Sequence, residues 1–252
     1  MQKLLQIYSF MQRRGLRRLP SPGRPPDFHC RRKFTIFVGM KALIVYSGGM
    51  DSTTLLHRYK DSIALAVTFT YGARQDEAQT ACAEENCRLL GIEHLVIPLD
   101  FMGRYFKSSL LKNGEAVPHG SYDEENMKST VVPFRNGIML SIAVGLAESR
   151  GLDTVLIANH AGDHAIYPDC RPAFVEAIGE AARTGTYEGV RILSPFCGMT
   201  KREIALVGRE LGVPFDKTYS CYEGRPDHCG LCGTCNERKE ALAGFDPTRY
   251  EA

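Results

Sequence analysis

Ser47-Gly48-Gly49-Met50-Asp51-Ser52 is the most informative stretch of this chain. Residues 42–46 before it are apolar without interruption, which is typical of a buried parallel strand. Residues 52–57 after it predict the first turns of a helix. A strand, a glycine turn and a helix start together favour phosphate binding, because the backbone can approach the anion closely and the helix end offers unpaired N–H groups.

The loop at 47–52 matches neither of two common nucleotide patterns. No lysine follows the glycines as in G-x-x-x-x-G-K-[ST], and the spacing is not G-x-G-x-x-G. It resembles the S-G-G-x-D-S loop of the ATP pyrophosphatases, which cleave ATP between the α and β phosphates. This resemblance implies that the loop binds pyrophosphate and that Asp51 helps to hold Mg²⁺. An ordinary Gly-Gly turn after a strand is the structural alternative.

Predicted strands and helices alternate from Met40 onward. The strands are residues 41–46, 63–69, 94–98, 154–158 and 190–193, and the later helices are residues 76–90, 136–150, 171–183 and 200–211. Thr200 and Glu203 form a capping box at the start of the last helix. This alternation predicts an α/β fold of the Rossmann-like, adenine nucleotide α-hydrolase-like kind, with a parallel sheet covered by helices on both faces. Ligands bind such sheets at the carboxyl ends of the strands, where the Ser47 loop lies.

Composition predicts three regions along the 252 residues. Residues 1–39 carry nine Lys/Arg and one acid, whereas the rest carries 22 Lys/Arg and 28 Asp/Glu, a net −6. The basic region lacks apolar periodicity and predicts a disordered extension ahead of a start at Met40, although a transit peptide is also Arg-rich. We expect residues 40–216 to form the ATP pyrophosphatase domain. We expect residues 217–252 to form a metal-binding region with a C-terminal helix.

Charge, hydropathy and cysteine content also limit the kinds of partner and the cell compartment that we expect for this chain. The acidic body argues against direct nucleic-acid binding. No apolar run reaches the ~18 residues of a membrane span. Nine cysteines without a secretion signal indicate a reducing compartment, and we expect a cytoplasmic protein. The polar stretch 100–130 is long for a loop and predicts a functional segment, with a lid over the site as the natural expectation.

Four cysteines are grouped near the carboxyl end with the spacing C-x(7)-C-x(2)-C-x(2)-C, namely Cys221, Cys229, Cys232 and Cys235. Four thiolates from a short segment suit a tetrahedral structural Zn²⁺. An iron–sulfur cluster uses the same ligands, and the spacing leaves that alternative open. Cys82 and Cys87 are expected to pack within a helix.

From Met40 onward the chain resembles the 7-cyano-7-deazaguanine synthase family (QueC). The segments that carry the resemblance are YSGGMDSTT at 46–54, YGAR at 71–74, VPFRN at 132–136, YPDCRP at 167–172, TKREI at 200–204 and the cysteine segment 220–235. The family often has Y-G-Q-R-H where this chain has YGARQ, and V-P-G-R-N where this chain has Phe134. A variant subfamily therefore stays open.

The resemblance implies an ATP-dependent carbon–nitrogen ligase that converts 7-carboxy-7-deazaguanine and ammonia to the 7-cyano base, in queuosine biosynthesis. The cofactors implied are ATP, Mg²⁺ and Zn²⁺, and the partners are small molecules; a homodimer is compatible, but the sequence does not determine it. Another ATP pyrophosphatase, such as a tRNA-modifying adenylating enzyme, is the alternative. A non-enzymatic nucleotide- and zinc-binding regulator is a third, which the intact loop argues against.

The resemblance also implies roles for residues, and side-chain chemistry supports them. The predicted catalytic residues are Asp51, Arg135 and Lys201. Asp51 is expected to hold Mg²⁺, Arg135 to bind a phosphate or carboxylate, and Lys201 to neutralise pyrophosphate. The nucleotide-binding set is Tyr46, Ser47, Gly48, Gly49, Met50, Asp51, Ser52, Thr53, Thr54, Leu55 and Leu56. The alternatives are a surface salt bridge for Arg135 and a solvated Lys201.

Residues 167–171 are the predicted substrate-binding segment, formed by Tyr167, Asp169 and Arg171. A carboxylate such as Asp169 can accept the two adjacent donors of a guanine-like base, and Arg171 can meet the substrate carboxylate. A structural ion pair is the alternative for both. His164 is a candidate general base that follows the fourth strand beside Asp163, and His160 is expected to be a polar loop residue.

Overall fold

The computed structural model describes residues 39–252. Its five parallel strands form one sheet in the order β3-β2-β1-β4-β5. The strands are β1 (Ala42–Val45), β2 (Ile63–Thr70), β3 (Glu93–Pro98), β4 (Thr154–Leu156) and β5 (Arg191–Leu193). The predicted α/β fold with a parallel sheet is confirmed. The predicted basic extension lies outside the described residues, apart from Gly39.

Nine α-helices accompany the sheet within the described part of the chain. They are α1 (Met50–Tyr59), α2 (Asp76–Leu90), α3 (Asp100–Tyr105), α4 (Glu124–Met127), α5 (Arg135–Ser149), α6 (Asp163–Ile166), α7 (Pro172–Gly185), α8 (Lys201–Glu210) and α9 (Gly233–Ala241). The predicted capping box is present, since the Thr200 side chain accepts from Glu203 N and the Glu203 side chain accepts from Thr200 N. Short 3₁₀ turns lie at Lys128–Thr130, Pro168–Cys170 and Phe215–Lys217.

Both faces of the sheet are buried, as a parallel sheet requires. Leu43 of β1 belongs to a core with α5, where Leu140 and Ala143 are fully buried. Ile44, its neighbour in the strand, belongs to a second core with α1. Alternate residues of one strand therefore anchor the two helical layers, and the sheet holds the amino end of α1 at its carboxyl edge.

Helix α8 packs closely on α1. A Cβ added at Gly208 of α8 would lie 2.7 Å from Thr54 Oγ1 and 2.6 Å from the ring of Phe215, so a larger residue has no room there. This close packing places the amino end of α8, with Lys201, beside the loop that precedes α1.

The stretch 100–130, predicted as a loop with a lid, contains α3, α4 and a 3₁₀ turn and is firmly packed. Leu110 and Leu111 are fully buried. Arg74 of the YGAR motif donates to the backbone carbonyls of Ser109, Gly114 and Glu115, which ties this stretch to the end of β2. Among residues 39–252, no helix is both long and apolar enough to cross a membrane.

Candidate active site and cysteine centre

A cavity opens at the carboxyl ends of β1, β2 and β4. Val45, Phe69 and Ile157 line it from the strand ends, and the Ser47 loop lines it from the start of α1. Its walls also include side chains from α5, the amino end of α8 and the cysteine segment. The site therefore lies where the parallel sheet predicts a ligand.

The backbone of the Ser47 loop is shaped for close approach. Gly48 has a φ of +78°, and a Cβ there would lie 2.3 Å from the carbonyl oxygen of Gln79 in α2, so only glycine fits. Helix α1 begins at Gly49 without a side-chain cap. The hydroxyls of Ser47 and Ser52 lie 3.1 Å apart beside this open end. Unpaired N–H groups and two hydroxyls thus face the cavity, an arrangement that suits a phosphate group.

Apart from Gly48, whose positive φ shapes the turn, the predicted nucleotide-binding set divides into two groups in the structure. Six of its members line the cavity: Tyr46, Ser47, Gly49, Met50, Asp51 and Ser52. Leu55 and Leu56 are fully buried in the core. Thr53 and Thr54 are also fully buried, and their hydroxyls donate to helix carbonyls at Gly49 and Met50. The second group therefore supports the loop from behind.

Asp51 and Lys201 form an ion pair beside the Ser47 loop. Lys201 Nζ lies 3.3 Å from Asp51 Oδ2, and its side chain is only 10% exposed. Glu237 of α9 lies on the other side of the ammonium, 2.6 Å from Nζ. Burial alone would lower the pKa of Lys201, but attraction to the two carboxylates outweighs it and raises that pKa well above its usual range. The lysine is therefore a fixed positive charge on a nearly buried side chain.

Three residues of this site were not predicted as functional: Tyr122, His160 and Glu237. The His160 side chain is 2% exposed, and its Nε2 lies 3.5 to 3.9 Å from carboxylate oxygens of Asp51, Asp163 and Glu237. Its Nδ1 accepts a hydrogen bond from Gly162 N at 3.0 Å, so Nε2 carries the hydrogen that faces the carboxylates. His160 is thus a buried member of the site rather than a solvated loop residue. The only signal available in the sequence was its place after β4.

Tyr122 comes from the stretch predicted as a lid. Its hydroxyl donates to Asp163 Oδ1 at 3.1 Å, and Lys201 Nζ lies 5.8 Å from the centre of its ring. Burial raises the pKa of Tyr122 well above its ordinary value, so the hydroxyl remains a donor. His164, which the sequence suggested as a base, is not among the cavity-lining residues.

Arg135 also lines the cavity, at the first turn of α5. Its Nη1 donates to Tyr71 Oη at 3.2 Å. The residue before it, Phe134, is the only non-glycine residue with positive φ (52°) in the described chain. No carboxylate within residues 39–252 forms an ion pair with Arg135. The guanidinium is therefore available to an anionic ligand.

The structure does not bring the predicted substrate-binding residues into the cavity lining. Asp169 is buried, and its Oδ2 accepts from the backbone N–H of Asn136 at 2.8 Å. Tyr167 shares its hydroxyl with Thr130 and Tyr222, whereas Arg171 is exposed and donates to the backbone of His164. Between them, Cys170 does line the cavity, and burial raises the pKa of its thiol far above the usual range.

The four predicted metal ligands converge. The sulfurs of Cys221, Cys229, Cys232 and Cys235 all lie within 4.8 Å of one another, and all four residues are buried. A tetrahedral ion with Zn–S bonds of ~2.3 Å needs sulfurs ~3.8 Å apart, and the Cys229–Cys235 pair lies at 3.9 Å. This centre can hold a metal such as zinc.

The backbone around the cysteines points its N–H groups at sulfur. Leu231 N and Cys232 N lie 3.4 and 3.3 Å from Cys229 Sγ, and Cys229 N lies 3.4 Å from Cys221 Sγ. N–H groups in these positions stabilise thiolates, the form in which cysteine binds a metal. The centre also fixes the neighbouring stretch, because Gly120 N donates to Leu231 O at 2.9 Å.

Comparison with known proteins places this geometry in a family. The profile described as "Queuosine biosynthesis protein QueC" matches residues 41–246. The chain belongs to the QueC family. The 7-cyano-7-deazaguanine synthase of Porphyromonas gingivalis is 58% identical over 213 residues, which cover 83% of this chain and 97% of the relative. That of Desulfotalea psychrophila is 50% identical over 214 residues, covering 83% and 98%.

The family assignment confirms the resemblance inferred from the motifs. Among solved structures, an NMN synthetase from Francisella tularensis aligns with a TM-score of 0.45 at 15% identity, over 75% of this chain and 69% of that one. A similarity this low carries no argument about the site. Membership in the QueC family makes the chain an enzyme of the 7-cyano-7-deazaguanine synthase type.

Proposed function

We propose that this protein converts 7-carboxy-7-deazaguanine and ammonia to 7-cyano-7-deazaguanine with ATP, as a carbon–nitrogen ligase of queuosine biosynthesis. The observation that carries the proposal is one cavity lined by the Ser47 loop and by two cationic side chains, Lys201 and Arg135. A carboxylate and a triphosphate are both anions, and this cavity can receive both. The matched relatives, which carry the synthase name, support the assignment.

The chemistry begins with a carboxylate that is too poor an electrophile to react with ammonia. Its oxygen attacks the α-phosphorus of ATP, forming an acyl-adenylate while pyrophosphate leaves. Ammonia then attacks the acyl carbon and displaces AMP, giving the amide. The amide oxygen then attacks the α-phosphorus of a second ATP and releases a second pyrophosphate; that oxygen leaves with AMP, and loss of the nitrogen protons yields the nitrile. Such steps need charge neutralisation and alignment more than a protein nucleophile.

The Ser47 loop and Lys201 act on the leaving pyrophosphate. The unpaired N–H groups at the start of α1 and the hydroxyls of Ser47 and Ser52 bind its oxygens. Lys201, fixed at Asp51, offsets the charge that develops as the bond to the α-phosphorus breaks.

Asp51 is also suited to a divalent cation. Its Oδ1 is buried and has no hydrogen-bond partner in the described chain, and carboxylate oxygen is the ligand that Mg²⁺ prefers. Asp51 would hold Mg²⁺, and the ion when bound would shield the charge of the phosphates.

Arg135, which lines the same cavity, receives the carboxylate or the α-phosphate. Asn136, Met139, Cys170 and Tyr222 line the same end and form a mixed surface for the deazaguanine ring. Asp169 contributes by fixing Asn136 at the start of α5, and Arg171 by fixing the turn after α6.

We propose a structural Zn²⁺ at the four cysteines, because four thiolates leave no open position on the ion. Cysteines held as thiolates rather than as disulfides suit the reducing cytoplasm, where we propose that the protein acts.

The experiment is a turnover assay with the pure protein, ATP, Mg²⁺, ammonium and 7-carboxy-7-deazaguanine. We expect the mass of the nitrile, together with AMP and pyrophosphate, and no dependence on added tRNA. The matched control is the Asp51→Asn variant, which keeps the shape of the loop and removes its charge. Release of ADP and phosphate alone, or a requirement for tRNA, would contradict the proposal.

A further inference from the structure

Glu237 approaches the active site from outside the cavity. It lies on α9, two residues after the fourth cysteine, and is not among the residues that line the main cavity. It lines instead an adjoining pocket with Gly162 and Glu240. Lys201 lines both, so its ammonium stands between the two spaces. Glu237 contacts two residues that line the main cavity, Lys201 at 2.6 Å and His160 at 3.8 Å, and the shorter contact is to Lys201.

The contacts of Lys201 are unequal. Its Nζ lies 2.6 Å from Glu237 Oε2 and 3.3 Å from Asp51 Oδ2, so the shorter contact is to the residue outside the cavity. The Glu237 side chain is 15% exposed and the Lys201 side chain 10%, so water competes little with this pair. A lysine side chain has several rotatable bonds, and holding its ammonium in one place requires a partner of this kind.

Helix α9 is itself rigidly anchored. Arg238, next to Glu237, is fully buried and donates to Phe215 O and to the hydroxyls of Thr218 and Ser220. The carboxylate of Glu237 therefore projects from a fixed support, which is what a side chain that positions another residue needs.

We propose that Glu237 is a positioning residue that holds the Lys201 ammonium at the mouth of the Ser47 loop, ready for the pyrophosphate of ATP. This inference rests on the proposed function, since it assumes that the loop and Lys201 bind pyrophosphate. The proposal adds Glu237, from the helix α9 that carries Cys235, to the residues that act on the leaving pyrophosphate.

A simple Coulomb argument and the positioning proposal predict opposite changes in the affinity for pyrophosphate when Glu237 loses its charge. The sign of that change therefore tests the proposal. Glu237 is an anion close to an anion-binding loop, so removing its charge should favour pyrophosphate binding by Coulomb's law. If Glu237 instead positions Lys201, removing its charge should weaken binding, because the ammonium is no longer fixed.

The experiment is calorimetric titration of the full chain with pyrophosphate in the presence of Mg²⁺. We expect Glu237→Gln to weaken binding about ten- to a hundredfold, the range of a hydrogen bond between charged groups. Glu240→Gln is the matched control, because it removes the same charge from an exposed position of the same helix, and we expect no weakening. In a Lys201→Met background, Glu237→Gln should have no further weakening effect.

Metal content and melting temperature, measured for each variant, separate positioning from support of the fold. Unchanged or tighter binding of pyrophosphate by Glu237→Gln would overturn the inference. An equal loss of pyrophosphate affinity from Glu237→Gln in the Lys201→Met background would also overturn it. A wild-type protein that binds pyrophosphate but forms no nitrile contradicts only the proposed reaction. A wild-type protein that forms the nitrile but fails to bind pyrophosphate contradicts only the inference about Glu237.

Discussion

Phe134 offers a test of how the start of α5 is built, because its backbone adopts a conformation that favours glycine. Its φ and ψ are 52° and 28°, in the left-handed region, where a Cβ costs about 1–2 kcal/mol. The ring compensates in part: it is 60% exposed but packs edge-on against Phe174 with centroids 5.6 Å apart. Such a pair contributes about 0.5–1.5 kcal/mol.

Two substitutions separate the backbone cost from the ring contact. Phe134→Ala loses the ring and keeps the strained Cβ, whereas Phe134→Gly loses the ring and relieves the strain. We expect the Gly variant to be more stable than the Ala variant by about 1 kcal/mol. At an ordinary helical or strand position the order is reversed by roughly 0.5–1 kcal/mol, because glycine loses more entropy on folding.

The assay is urea unfolding of the three proteins at equal concentration, with the free energy of unfolding taken from midpoint and slope. For a domain of this size, about 1 kcal/mol corresponds to roughly 2–4 °C in melting temperature. An Ala variant as stable as the Gly variant, or more stable, would refute the reasoning, since it would mean that the left-handed backbone carries no cost.

The neighbouring Gly137 gives an independent check of the same geometry. A Cβ at this position would lie 2.3 Å from the Phe134 ring, so the ring must move to accept it. Gly137→Ala should therefore cost more stability in the wild type than in the Phe134→Gly background, where the ring is absent.

Three further outcomes are expected. Asp51→Asn should lower pyrophosphate release by about 100-fold or more while leaving the melting temperature unchanged, and near-normal turnover would exclude a role in charge stabilisation. The purified protein should carry zinc; Cys232→Ser or a chelator should lower metal content and stability together, whereas iron with labile sulfide would rule out zinc. Asp169→Ala leaves the buried N–H of Asn136 without its acceptor and should cost about 1–3 kcal/mol of stability. It should also weaken turnover of the deazaguanine acid more than ATP binding, and unchanged kinetics in the folded fraction would reduce Asp169 to a structural role.

Local patterns were enough to predict much of this protein. The alternation of apolar runs with helical segments predicted the parallel sheet, and the glycines after the first strand predicted the loop at its edge. The capping box at Thr200 and the cysteine spacing were also recognised, and the structure confirms the capping box and brings the four sulfurs together. These features depend on a few consecutive residues, so their physical cause is present in the sequence itself.

Tertiary packing decided which side chains meet around Lys201 and Asp51. Tyr122, His160 and Glu237 come from three separate segments and converge on Lys201 and Asp51, with no motif to mark them. Asp169 looked suited to a guanine-like base, but the folded chain directs one of its oxygens to the N–H at the start of α5. A buried N–H requires an acceptor, and which acceptor reaches it depends on how distant segments pack rather than on their local sequence.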